Sequence, residues 1–142
     1  MSLGLVPPVH RATHRIGLYL ATLRDCALSQ GEAHIMALLV DGPATIAELH
    51  KGLAHSRSTL TSILDRLVAR GLVTRAVGVS DRRTFVVTTT VPGRKVARRV
   101  FRHLADLERA VRARVSADDL HGFLHVVTAL EEQAARRSSA KG

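Results

Sequence analysis

Within the run from residue 56 to residue 66 the chain crowds short hydroxyls and guanidiniums together: Ser56, Arg57, Ser58, Thr59, Thr61, Ser62 and Arg66. Interleaved with them, Leu60, Ile63, Leu64 and Leu67 step by 3, 1 and 3, the spacing of one buried helical stripe. The polar residues therefore lie largely on the other faces, where a hydroxyl can approach a phosphate or a base edge without steric cost. A second concentration follows at Asp81, Arg82 and Arg83. An arginine presented beside a narrow minor groove gains from the deeper negative potential there. Asp81 is best understood as a partner that orients such an arginine, and Asp65 is a second candidate anchor. No paired catalytic carboxylates, nucleophile–base motif or Gly-rich phosphate loop stands out, so this chemistry is recognition and an enzyme is not expected.

The elements that must position these groups are short and well punctuated. Thr45 with Glu48 three residues on forms a capping box that opens a helix with Ile46 and Leu49 inward. Gly52, Leu53 and Ala54 make a tight turn, and Ser56 caps the next helix. Gly71 ends that helix in the left-handed conformation, with Leu72 as the apolar follower. Val73–Val77 and Thr84–Thr88 are expected strands, rich in β-branched residues, and residues 78–83 form the tip between them. The pattern is a helix-turn-helix with a wing.

The flanks are helical. Leu3, Leu5 and Val6 form an apolar arm before Pro7 and Pro8, and a helix is expected from Val9 to about Leu28. Ser29 and Glu32 make a further capping box for a helix through Val40, which Gly42 and Pro43 end. Thr90 caps a long helix to about Val115, with Val96, Val100, Leu104, Leu107, Val111 and Val115 as a seam for another helix. Ser116 and Asp119 start the last helix, which reaches about Ala135, and the tail ARRSSAKG is expected to fray. The winged segment has its own small core, so both flanking helical regions need another surface. A homodimer interlocking at its ends provides one. The fold class is mainly α, a winged helix-turn-helix with N- and C-terminal dimerisation helices. Its expected parts are residues 1–28 (arm and helix of the dimerisation region), 29–90 (DNA-binding winged module) and 91–142 (C-terminal dimerisation helices).

The totals agree with that partner. Of 142 residues 46% are apolar but only 3% aromatic, so the core is built from aliphatic side chains. The formal net charge is +9, and 18 of 21 basic residues are arginine, which points to a polyanion. A single cysteine, Cys26, excludes an internal disulfide and suits a reducing compartment. The N-terminal residues lack the pattern of a signal peptide, and no run is long and apolar enough to span a membrane, so a cytoplasmic protein is expected.

The run SRSTLTSILDRLVARGLVTR followed by SDRR resembles the MarR family of bacterial transcription regulators. The resemblance covers most of the chain. It implies a homodimer on a palindromic double-stranded operator, with the second helix in the major groove and the wing at the minor groove. Asp81 and Arg83 match the family's acidic–any–arginine wing motif. It also implies a small-molecule effector, often aromatic or phenolic, lodged between winged module and helical ends, and most often repression. The sequence departs from the family at His50 and His55, which stand where a small or aliphatic core residue is usual. It departs again at Thr89-Thr90, where the family's strand ends in Leu-Thr.

Rival readings remain. A winged helix can serve as a protein–protein docking module, and a metal- or redox-responsive sensor can share the scaffold. His34 and His103 fall near positions used by zinc-sensing relatives, while Ile16 and Thr22 occupy places where those relatives carry acidic and sulfur ligands. His121 and His125 share a helical face as ligands or as plain surface residues. Cys26 is read as a small buried hydrophobe, with a redox switch as the alternative. No metal and no cofactor is expected. Arg94, Lys95, Arg98, Arg99 and Arg102 are a phosphate-attracting cluster or a solvated helix face.

Overall fold

The computed structural model describes residues 2–54 and 56–140. In chain order it has α1 (Val6–Ala21), a 3-10 turn (Arg24–Cys26), α2 (Gln30–Leu38), β1 (Ala44–Thr45), α3 (Ile46–Leu53) and α4 (Arg57–Ala69). There follow β2 (Val73–Val77), β3 (Phe85–Thr89), α5 (Val91–Arg112) and α6 (Ala117–Ser139). The fold is mainly α, with a small antiparallel sheet in the order β1-β3-β2. β2 and β3 form the wing, with Arg75 opposite Val87 and Val77 opposite Phe85. The chain divides into two compact units, up to Ala105 and from Asp106 on.

The core of the first unit is aliphatic, as the composition requires. Ile35 and Met36 of α2, Leu49 of α3, the stripe Leu60, Ile63, Leu64 and Leu67 of α4, and Val73 and Val87 of the sheet close on one another. Each such leucine or isoleucine, fully removed from water, contributes about 1.5–3 kcal/mol. Leu20 of α1 and Val100 of α5 pack on Ala33 of α2, with Ile16 and Leu104 beside them. The flanking helices thus bury part of their stripes on their own winged segment, contrary to the expectation that they must look entirely elsewhere. In the second unit, by contrast, no described residue of α6 is buried, and Phe123 and Leu124 are 58% and 62% exposed.

Several element ends differ from the sequence expectation, each for a local reason. α1 starts at Val6, with its prolines inside the first turn, where a missing N–H costs nothing. It stops at Ala21 instead of Leu28: the Thr22 hydroxyl donates to Tyr19 O at 2.6 Å, and Ala27 turns to a left-handed φ of 47°. α2 stops at Leu38, and two residues of a third strand, β1, follow where no strand was expected. β3 begins at Phe85, one residue late, because Thr84 belongs to the tip. Its N–H and hydroxyl both donate to Asp81 O, at 3.1 and 2.7 Å. α5 ends at Arg112 and not Val115, while α6 runs on to Ser139, so the expected fraying of ARRSSAKG does not begin at Ala135. Lys141 and Gly142 of that tail lie outside the described residues.

The caps follow the sequence with one exception. Thr45 with Glu48, and Ser116 with Asp119, form complete capping boxes. The Ser116 backbone and hydroxyl bonds hold the Asp119 carboxyl below the usual aspartate range. Ser29 accepts from Glu32 N at 3.2 Å, but the Glu32 carboxylate leaves its own helix for two arginines of α4. α4 closes on Gly71, at φ 69°, with Gly71 N donating to Val68 O and Leu72 N to Leu67 O. His50 is exposed and takes no core position, and His55 lies outside the described residues.

Thr90, from the departing Thr-Thr pair, fastens the base of the wing. Its hydroxyl donates to Gly71 O at 2.6 Å and accepts from Gly93 N at 3.1 Å, while its N–H donates to Leu72 O. This knot brings the first turn of α5 so near Leu72 O that a Cβ at residue 93 would collide with it. Helix propensity alone would make Gly93→Ala stabilising by about 1 kcal/mol. The close approach reverses the sign, and urea unfolding of Gly93→Ala should show a loss of about 1–3 kcal/mol.

Candidate nucleic-acid interface

Every polar residue singled out on α4 is exposed: Ser56, Arg57, Ser58, Thr59, Thr61, Ser62, Asp65 and Arg66. Their freedom differs. Ser56 is engaged as the cap, accepting from Thr59 N at 3.2 Å and donating to Thr59 Oγ1 at 2.8 Å. The helix then sends its groups to two sides. Arg57 and Thr61 line a groove of about 810 Å³ with Ile46, His50, Arg75 and Phe85, between α3 and the wing. Ser58, Thr59, Ser62 and Arg66 line a shallower groove of about 360 Å³ on the other side, with Ser29 and Gly31 of α2.

At the wing tip Asp81 Oδ1 accepts from Arg83 N at 3.0 Å and from Arg83 Nε at 3.3 Å. The carboxylate thus turns the arginine while leaving its side chain 92% exposed. Arg82 is exposed beside it. Asp65 does something other than expected: it anchors no tip arginine and instead accepts from Arg75 Nη2 at 2.6 Å, at the base of β2. The tip lies several residues further along the hairpin, whereas Arg75, in the strand that follows α4, is within reach of that helix.

Arg66 is also held, through Nε, by Glu32 Oε1 at 3.1 Å, and Arg70 Nη1 reaches Glu32 Oε2 at 3.3 Å. Arg70 and Arg75 are not singled out by the sequence, and Glu32 is read from it only as a capping residue. Arg75 carried a signal, since strand alternation puts it on the face of buried Val73, where a guanidinium needs an acid. Glu32 carried none, because its capping-box spacing explained it already.

Arg99, His103 and Cys26 resolve into structural contacts, while Arg94, Lys95, His121 and His125 are exposed. Arg99 of the basic cluster donates to Asp25 Oδ2 at 2.9 Å, a bond that raises its guanidinium above the usual arginine range. His103 stacks on Tyr19 at 4.0 Å, its Nε2 lies 3.0 Å from Tyr19 O, and Tyr19 donates its hydroxyl to His103 O. These contacts tie α1 to α5. Cys26 is buried, and its carbonyl accepts from Arg70 Nη2 at 2.6 Å. Among the described residues no group of three His, Cys, Asp or Glu converges as metal ligands, and no helix is long and apolar enough to cross a membrane.

The helices α2, α3 and α4, the short strand β1, and β2 with the wing tip and its acid-held arginine occupy the part of the chain that matches a family model described as MarR family, over residues 28–84. That segment is similar to the MarR family. Solved structures extend the likeness of fold to most of the chain. S. aureus MepR in DNA-binding conformation is 15% identical, covering 93% of this chain and 99% of that one at a TM-score of 0.81. Apo wild-type MarR from E. coli is 21% identical, with 92% and 98% covered and a TM-score of 0.65. A cysteine-to-serine mutant of E. coli MarR complexed with operator DNA is 23% identical, with 89% and 90% covered and a TM-score of 0.67. No protein of curated function matches the chain.

The Asp65–Arg75 pair, being 55% and 35% exposed at its two side chains, should contribute little on its own. A double-mutant cycle of Asp65→Asn and Arg75→Gln, read by urea unfolding, should return a coupling of about 0.2–1 kcal/mol.

Proposed function

We propose that the protein is a sequence-specific DNA-binding transcriptional regulator acting in the cytoplasm. In this reading it is a homodimeric, ligand-responsive repressor on a palindromic operator. The observation that carries the reading is the pairing of an exposed hydroxyl and guanidinium face on α4 with Arg83, held outward by Asp81 at the wing tip. Ser56, Arg57, Ser58, Thr59, Thr61, Ser62 and Arg66 serve α4 at the major groove; with Ser56 capping, its contact is through the helix end it holds. Arg82 and Arg83 serve the wing. Asp81 orients Arg83, and Asp65 steadies the wing through Arg75. The net charge of +9 supports a polyanionic partner, and the DNA complex of the similar MarR mutant supports the mode of docking.

Residues 1–28 and 91–142 form the dimerisation part. Support comes from apolar side chains left open at both ends, Leu3 and Leu5 before α1 and Phe123 and Leu124 on α6. Two reading helices held one duplex turn apart need such a spacer. A small effector, with aromatic compounds the first class to try, would act by changing that spacing.

The test is selection of bound duplexes from a random pool, followed by affinity against salt and by sedimentation. A regulator of this kind enriches a palindrome, binds it as a dimer and loses affinity steeply with salt. A docking module enriches nothing. Arg83→Ala should weaken binding to the selected duplex by roughly 1–3 kcal/mol and flatten the salt slope by about one unit per subunit. Asp65→Asn should cost less and leave the slope unchanged, which titrations at two salt concentrations will separate.

A further inference from the structure

We propose that Glu32 is a positioning residue for DNA reading, acting through Arg66 and Arg70 to set the roll of α4 about its axis; this deepens the proposed function and rests on it. Glu32 is the buried charged residue among the described residues, its side chain only 8% exposed. Its two oxygens take different arginines, Oε1 from Arg66 Nε at 3.1 Å and Oε2 from Arg70 Nη1 at 3.3 Å. Arg70 is fixed in turn, donating to Ala27 O at 3.0 Å and Cys26 O at 2.6 Å.

The placement along the helix gives these bonds their consequence. Ser58, Ser62, Arg66 and Arg70 follow at intervals of four, one row along α4. Glu32 grips the C-terminal half of that row, while the N-terminal half carries the hydroxyls proposed to face DNA. The apolar stripe beneath chooses the buried face but sets the roll only coarsely, since burial is non-directional. Two hydrogen bonds one turn apart, to a single carboxylate on α2, are directional and fix both roll and axial height. A buried ion pair is a poor source of net stability, because desolvation offsets the attraction. Glu32 also forgoes the return bond to its own helix start that its position offers. Orientation is the role that remains.

Charge and position predict opposite outcomes, which makes the idea testable with the intact chain. Glu32→Gln removes a negative charge beside the proposed DNA face, and electrostatics alone would tighten binding to every duplex. If Glu32 sets the roll, the ratio of affinity for a duplex selected by the parent to that for an unrelated duplex of equal length falls by about tenfold. Helix content and oligomeric state stay as in the parent. Arg70→Lys, which keeps the charge and loses the forked hold on Glu32 and on the Ala27 and Cys26 carbonyls, should lower the same ratio, and Glu32→Gln should add less in that background than alone. Should Glu32→Gln fail to fold, Arg70→Lys carries the test, because that side chain is 38% exposed and is not among those proposed to touch DNA. A stability effect lowers both affinities together and a charge effect raises both. Either result, with the ratio unchanged, overturns the positioning role while leaving the proposed function standing. A parent that enriches no sequence overturns the function and this inference with it.

Discussion

The structure depends on keeping one face of α4 dry. Leu60, Ile63, Leu64 and Leu67 sit in a core closed by Ile35, Leu49, Val73 and Val87. Because a helix repeats every 3.6 residues, a buried stripe of that width leaves the other faces to water or to a ligand. The neighbouring elements follow from this constraint. α2 and α3 supply the apolar floor, the left-handed Gly71 ends the helix, and the wing leaves on the far side with Val73 and Val87 sealing the core.

A basic chain of this kind must also prevent its arginines from floating. Four of the acids serve that task in the first unit. Asp81 turns Arg83, Asp65 takes Arg75, Asp25 takes Arg99, and Glu32 takes both Arg66 and Arg70. The exposed pairs are worth little as stability, since two long side chains in water gain about what they lose in entropy. Their effect is geometric: each pairing fixes the direction of an arginine in advance of any ligand.

Apolar exposure is uneven in the same way. The first unit closes on itself, with α1 and the early part of α5 resting on α2 through Leu20, Ala33 and Val100. α6 buries no described residue, although its phenylalanine and leucines recur at helical spacing. Amphipathic helices with an open apolar face gain from a partner surface. That is the physical ground for reading the ends of the chain as an assembly region.

Local signals in the sequence determined most of the elements. The stripe of α4, the capping boxes at Thr45 and Ser116, the left-handed stop at Gly71 and the β-branched wing strands are interactions among residues a few positions apart, so spacing alone reveals them. Asp81 and Arg83 were legible as a pair for the same reason, two residues apart in one turn. Tertiary structure decided the rest. The partner of Asp65 is ten residues away across a helix end and a strand start. Glu32 joins Arg66 and Arg70 across more than thirty residues, and its local capping pattern pointed to a different bond. The two-residue strand β1 exists only because β3 lies beside it. Periodicity reports which face of an element is apolar. Which charged group meets which is settled only when the packed elements bring distant side chains within hydrogen-bond reach, and no one-dimensional spacing encodes that distance.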